Sequence, residues 1–149
     1  KTVLTSFLAY DASNSIIKLL ETGVDPVLIA SSMCGVASQR LVRYLCPKCK
    51  QPADIPAEVA ELLPESERSK QIYSPQGCDG CNNTGYAGRI LVTEFIPANA
   101  TLRQMIINRQ TYHDFKSFAR KQGIRSIEEK TLEMMLSGET SADEFMRLF

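Results

Sequence analysis

Two Cys-x-x-Cys pairs constrain this chain more than any other feature. They are Cys46-Pro47-Lys48-Cys49 and Cys78-Asp79-Gly80-Cys81, with 28 residues between them. Thiolates two residues apart can share one ion from a tight turn, and two such turns fill a tetrahedral shell. Pro47 fixes φ inside the first turn, and Gly80 permits an unusual backbone inside the second. The pattern points to a structural zinc site with Zn–S near ~2.3 Å and no open coordination position. Disulfides, redox dithiols and an iron–sulfur cluster are the alternatives. No secretory signal is legible, so the expectation is a reducing compartment, which disfavours disulfides. The fifth cysteine, Cys34, lies in an apolar stretch and is expected to be a small buried side chain without chemistry. The one histidine, His113, is remote in sequence, so a catalytic zinc with an open position is not expected.

Zinc placed there acts as a staple. It joins a strand ending at Leu45 to one beginning at Arg89 and closes the insertion between them. Such sites are worth about 10–16 kcal/mol in small peptides, comparable to the whole stability of a domain.

The 149 residues amount to one domain or one and a half, and 44% hydrophobic content is enough for a real core. Lys plus Arg and Asp plus Glu both number 17, giving zero formal net charge. With 7% aromatic residues and no Trp, the chain offers little for stacking on bases, and no nucleic-acid partner is expected. No run approaches the ~18 apolar residues of a membrane span. Opening on Lys1 and running straight into a strand-like segment, the sequence reads as an excised or processed piece.

Along the chain, Thr2 to Leu8 is β-branched and apolar and predicts a buried strand. Asp11 or Ser13 caps a helix whose apolar face is Ile16, Ile17, Leu19 and Leu20, and Gly23 ends it. Asp25-Pro26 restarts a helix, and Gly35 breaks it into a strand from Val36 to Leu45 carrying Arg40 and Arg43. Between the cysteine pairs, Ala57 to Leu63 forms a short helix between Pro56 and Pro64, and Ile72-Tyr73 is extended. Asp54, Glu58, Glu61, Glu65 and Glu67 make this insertion acidic, either as a solvated face or as a patch for a basic partner. Arg89 to Ile96 is a strand ended by Pro97. Thr101 with Gln104, Ser126 with Glu129 and Ser141 with Glu144 match the capping box, and Thr111 with Asp114 is a looser version. Four short helices with Met and Phe stripes follow, which predicts a small C-terminal bundle.

Gln39-Arg40-Leu41-Val42-Arg43 before the first cysteine pair, and Gly85-Tyr86-x-Gly88-Arg89 with Glu94 after the second, resemble the C-terminal region of the secretion ATPases. These are the hexameric motors of type II secretion (general secretory pathway protein E) and type IV pilus assembly. Gly23-Val24-Asp25-Pro26, Ser31-Ser32 and the tail from Ser126-Ile127 through Gly138-x-Thr140-Ser141 to Glu144-x-x-Arg147 are also similar, so the likeness covers essentially the whole chain. The resemblance implies an α+β, helix-rich fold: residues 1–45 as the end of a RecA-like ATPase core, 46–88 as a tetracysteine zinc insertion, 89–98 as a returning strand and 99–149 as the helical bundle. It implies zinc on Cys46, Cys49, Cys78 and Cys81, and Arg40, Arg43 and Arg89 at a subunit interface or near nucleotide. Exposed strand-edge arginines paired with nearby carboxylates are the plain alternative. The implied partners are other subunits of a homohexamer and inner-membrane platform proteins, in a cytoplasmic protein held to that membrane through them.

The family's usual Leu-His-Thr-Asn-Asp-Ala box falls on Phe7-Leu8-Ala9-Tyr10-Asp11-Ala12. Leu8 stands at the histidine position and Tyr10 at the asparagine position; only Asp11 and Ala12 remain. Leucine can neither donate to a γ-phosphate nor hold a water, so the parent is either an altered motor or one whose box lies elsewhere. The chain has no Gly-x-x-x-x-Gly-Lys-Ser/Thr phosphate loop, so ATP and Mg²⁺ are expected only in a longer parent and no catalytic residue is assigned here. A stand-alone zinc-stapled adaptor and, less favoured by the charge, a zinc-ribbon nucleic-acid binder are the competing functions.

Overall fold

Capping chemistry sets most element boundaries in the computed structural model, which describes residues 1–149. The Asp11 carboxylate accepts from the Asn14 N–H at 2.7 Å and starts α1 (Ala12–Glu21). Asp25 does the same for Val27 at 2.8 Å, with Pro26 as the first residue of α2 (Pro26–Ser32). There follow β1 (Gly35–Leu45), β2 (Gln51–Ala53), α3 (Ala57–Ala60), a 3₁₀ turn Glu65–Glu67 and β3 (Ile72–Ser74). A second 3₁₀ turn, Asp79–Cys81, leads to β4 (Tyr86–Pro97), then α4 (Ala100–Ile107), α5 (Tyr112–Lys121), α6 (Ile127–Leu136) and α7 (Ala142–Leu148). β1 pairs with β4, and β2 pairs antiparallel with β3 in the register Gln51↔Ser74, Pro52↔Tyr73, Ala53↔Ile72. The fold is mixed α/β and helix-rich with small sheets, in line with the expected class. No helix is long and apolar enough to cross a membrane.

The chain forms two compact units, Lys1–Gln39 with Thr93–Ile127 and Arg40–Val92 with Glu128–Phe149. The first has an aliphatic and aromatic core: Ile16 and Leu20 of α1, Ile29 of α2, Ile96, Leu102 and Ile106 of β4 and α4, and Phe115 and Phe118 of α5. Apolar residues recurring at helical spacing bury one face of each helix against the others. Arg103 of α4 reinforces this by donating to the carbonyls of Ala30 and Met33 at the end of α2. Those carbonyls include ones left without helical partners, and the guanidinium satisfies them.

The second unit has a divided core: Val59, Leu63 and Ile72 meet Met135 of α6 and Ala142 and Phe145 of α7, while Val42, Leu45 and Val92 are buried outside that cluster. Polar contacts supplement it. Lys50 donates to the Gly138 carbonyl at 2.7 Å, and its ammonium lies 4.5 Å from the Tyr73 ring centroid. The Tyr73 ring lies where a Cβ at Gly138 would sit, so only glycine fits at this turn between α6 and α7. The four helices after β4 are therefore shared out, α4 and α5 to the first core and α6 and α7 to the second.

Four local expectations change. The Thr2–Leu8 run is not a strand: none of β1–β4 pairs with it, and Leu4 and Leu8 are 94% and 85% exposed. β-branched composition supports a strand only where a neighbour takes up its N–H and C=O groups. Cys34 is exposed, because it lies in the short connector between α2 and β1 and not on either element's packed face. Thr101 lies inside α4, which is capped instead by Asn99 accepting from Leu102 N–H at 2.9 Å. The pair called looser, Thr111 with Asp114, makes the full reciprocal box: Asp114 N–H donates to the Thr111 hydroxyl and Thr111 N–H to the Asp114 carboxylate.

Candidate metal centre

The first cysteine turn begins where β1 stops. Cys46 follows Leu45, and the N–H groups of Cys49 and Lys50 both donate to its carbonyl, at 3.3 and 3.0 Å, folding the turn back on itself. In the second, Cys81 and Asn83 N–H groups donate to the Cys78 carbonyl at 3.0 and 2.9 Å. The left-handed backbone falls on Asn82, Asn83, Gly77 and Gly85, not on Gly80. Asparagine tolerates that region and glycine has no penalty there, so the Asn82-Asn83 pair was the legible signal that attention to Gly80 missed.

The Gly85 peptide joins the two turns. Its N–H donates to the Cys81 sulfur at 3.2 Å, and its carbonyl accepts from Cys46 N–H at 2.9 Å. Cys81 Sγ accepts a second backbone bond, from Cys78 N–H at 3.2 Å. Two amide donors fix the orientation of that sulfur.

All four sulfurs lie within 4.8 Å of one another, with Cys49–Cys81 and Cys78–Cys81 at 3.8 Å. Sulfurs at ~2.3 Å from one tetrahedral ion stand ~3.8 Å apart. A disulfide needs ~2.05 Å, and all five cysteines are free. A multi-iron cluster occupies the space between its sulfurs and needs them more widely spread. The donor set thus fits one zinc ion, with Cys46 and Cys81 buried and Cys49 and Cys78 half-buried. Burial pushes the Cys49 thiol up to about 12, aided by the Cys78, Cys81 and Cys46 thiols. At Cys81 burial acts the same way but is outweighed by the Cys78 and Gly85 amides and the neighbouring thiols, which hold it down to about 6. A cation shared by the four sulfurs would favour the thiolate form of each.

The predicted arginines separate in the structure. Arg43 donates through Nε to the Glu144 carboxylate at 2.6 Å and through its backbone N–H at 2.9 Å, while its guanidinium carbon lies 4.2 Å from the Tyr86 ring centroid. Glu144 is fully buried, and Arg147 donates to both its oxygens at 2.7 Å. Burial works against ionisation of Glu144, but the Arg147 guanidinium and the Arg43 N–H and guanidinium hold its carboxyl down to about 2. Arg89 is exposed and lines an open groove of about 470 Å³ with Leu41, Arg43, Thr84, Tyr86 and Gly88. Arg40 is half-buried on β1. Glu144 was missed as a pairing residue: Ser141-x-x-Glu144 reads as a capping box, and only half of it forms, with Glu144 N–H on the Ser141 hydroxyl at 3.2 Å. Asp11, the acidic survivor of the altered box, is engaged as the α1 cap and accepts from the Tyr112 hydroxyl at 2.7 Å.

Residues 1–147 match the family model described as type II/IV secretion system protein. The chain is 39% identical over 149 residues to the type IV pilus assembly ATPase TfpB of Acinetobacter baylyi, covering 98% of this chain and 26% of that protein. It is 34% identical over 148 residues to type II secretion system protein E of Pseudomonas aeruginosa, covering 98% and 29%. Against type II secretion system ATPase E of Vibrio cholerae the identity is 32% over 147 residues, covering 98% and 29%. The chain thus spans well under a third of the length of these relatives.

Proposed function

The chain belongs to the type II/IV secretion system protein family, and on that premise we propose that it is the C-terminal portion of an ATPase that powers type II secretion or type IV pilus assembly. The observation that carries this is the match along residues 1–147, with relatives named for both machines. Residues 1–45 end the RecA-like core, 46–88 form the zinc insertion, 89–98 return as a strand and 99–149 supply the closing helices. Zinc, held by Cys46, Cys49, Cys78 and Cys81, neutralises four thiolates and staples two turns; it takes no part in hydrolysis. ATP and Mg²⁺ bind elsewhere in the longer protein, which works as a homohexamer on the cytoplasmic side of an inner-membrane platform. Arg40 and Arg89 face neighbouring subunits or nucleotide, and Arg43, bound to Glu144, supports that edge from within.

The test uses the full reading frame that contains this chain. Purified full-length protein is expected to assemble as a hexamer and hydrolyse ATP, and metal analysis is expected to give about one zinc per chain. A full-length protein that neither assembles nor hydrolyses ATP overturns the motor assignment and favours the adaptor. Leu8→His in that protein raises turnover if the altered box limits hydrolysis; unchanged turnover means that the box lies elsewhere or is not limiting.

A further inference from the structure

Between the ends of β1 and β4 and the α6–α7 elbow runs a set of side-chain and backbone hydrogen bonds. Gly85 bridges the turns, as described. Next to it, the Tyr86 hydroxyl lies 2.7 Å from that of Ser141. On the other side of Cys46, Leu45 N–H donates to the Glu139 carbonyl at 2.8 Å, the Thr140 hydroxyl to the Arg43 carbonyl at 2.8 Å, and Arg43 to Glu144. Thr140, Ser141 and Glu144 are all buried, so losing these bonds would leave their polar groups without partners away from water. Neither strand end can shift without leaving buried polar groups at the elbow unpaired.

We propose that Glu144, with Thr140 and Ser141, positions the metal centre: the elbow holds the ends of β1 and β4 at the separation the four sulfurs need. The coupling runs both ways. An ion that fixes the sulfurs fixes the strand ends and with them the docking of α7; a docked α7 presents the sulfurs already gathered. Two sites joined in this way share one coupling free energy, so each strengthens the other by the same factor. The proposal rests on the four cysteines holding zinc. It extends that reading by giving the elbow a role in metal affinity and giving metal a role in seating the last helix.

The experiment measures zinc affinity by chelator competition on the full 149-residue chain under reducing conditions. Glu144→Gln removes the charge that gathers Arg43 and Arg147 and is expected to weaken zinc binding about tenfold, the range seen when outer-shell partners of a metal ligand are lost. Tyr86→Phe keeps the ring under Arg43 and removes only the hydroxyl, and is expected to weaken binding a few-fold. It also keeps the test decisive should Glu144→Gln fail to fold. Tyr112→Phe, which loses a tyrosine hydroxyl outside this network, is expected to leave zinc affinity unchanged. In the reverse direction, zinc removal from the unmutated chain is expected to speed amide exchange in α7. Wild-type affinity in Tyr86→Phe and in folded Glu144→Gln, or α7 exchange indifferent to zinc, overturns the coupling while leaving the zinc site intact. A wild-type chain that takes up no zinc overturns the metal reading and the coupling with it.

Discussion

The two units are held together by different physics. The first rests on a cluster of eleven buried apolar residues drawn from β4 and the packed faces of α1, α2, α4 and α5. The corresponding cluster in the second has six, drawn from α3, β3, α6, α7 and the loop after α3. Val42, Leu45 and Val92 are buried outside that cluster, so the second unit's apolar burial is divided where the first unit's is contiguous, and a metal can supply the missing link. The four cysteines lie in the unit with the divided core. Metal binding and folding are expected to be one event there and unrelated events in the first unit.

Zinc removal puts the largest strain on that contrast. Structural zinc is worth about 10–16 kcal/mol in small domains, comparable to the whole stability of a domain. Treatment with chelator and reductant, or Cys81→Ser, is expected to expose the amides of β2, β3, α6 and α7 to hydrogen exchange. The amides of α1, α4 and α5 keep their protection. A single C-terminal bundle would keep all four helices on loss of a ligand; their division between the cores limits that to α4 and α5. Uniform protection after metal removal would show that the second core suffices without the ion.

The mirror-image perturbation is Phe115→Ala. Phe115 is fully buried in the first core, and truncation to Ala in such a place costs about 3–5 kcal/mol through lost transfer energy and the cavity left behind. The first unit is expected to melt earlier by that amount, while zinc stoichiometry stays at about one per chain. Zinc lost in parallel would mean that the units fold as one.

The same chemical change at two glycines sharpens the comparison further. Gly85 and Gly123 both have positive φ, +76° and +74°. At Gly123 an added methyl meets nothing within 4 Å, so Gly123→Ala costs only the left-handed penalty, ~1–2 kcal/mol. At Gly85 the methyl would lie 2.4 Å from Pro75 Cβ, in the peptide that links the cysteine turns. Gly85→Ala is expected to cost about 2–4 kcal/mol in total, from that penalty plus overpacking. It is also expected to weaken zinc binding, which chelator competition would register. Equal costs at the two sites would remove the special role given to the Gly85 peptide.

What could be read from sequence follows the same division. Where the determinant is local, the residues spoke for themselves: Asp25 and, as one of two candidates, Asp11 as caps, Gly35 as the break before the first strand, the apolar stripes of α1 and α5, and the spacing of the four cysteines. Where the determinant is a partner far along the chain, they did not. Thr2–Leu8 has strand composition and no strand beside it. Glu144 looks like a capping residue until Arg43, 101 positions earlier, is brought against it. The helices α4 to α7 share periodicity and length, and nothing in either says which core each will join. Cys34 sits among apolar neighbours, yet a connector between two elements turned it outward. Local chemistry sets element boundaries; assignment of elements to cores depends on contacts whose sequence separation carries no periodic signal.

The smallest expected effect belongs to a single hydroxyl in the first unit. Tyr112 donates to Asp11, whose other oxygen caps α1, so Tyr112→Phe removes one bond to a charged acceptor and leaves the cap in place. The loss is expected to be about 1 kcal/mol because the pair is only part-buried. Burial, and then the hydrogen bond and charge of Asp11, raise the Tyr112 hydroxyl above its ordinary value of 10.0. The folded chain therefore keeps this proton after the unfolded chain has released it. Its contribution is complete below pH ~10 and disappears as pH climbs through the folded value. Unfolding of the wild-type and Tyr112→Phe chains, compared from pH 8 to about 11, should show a gap near 1 kcal/mol that narrows at the alkaline end. The gap should be the same with and without zinc, because the bond lies wholly within the unit that does without the metal. A gap that depends on zinc would show that the ion's influence reaches α1, and the two units would then have to be treated as one.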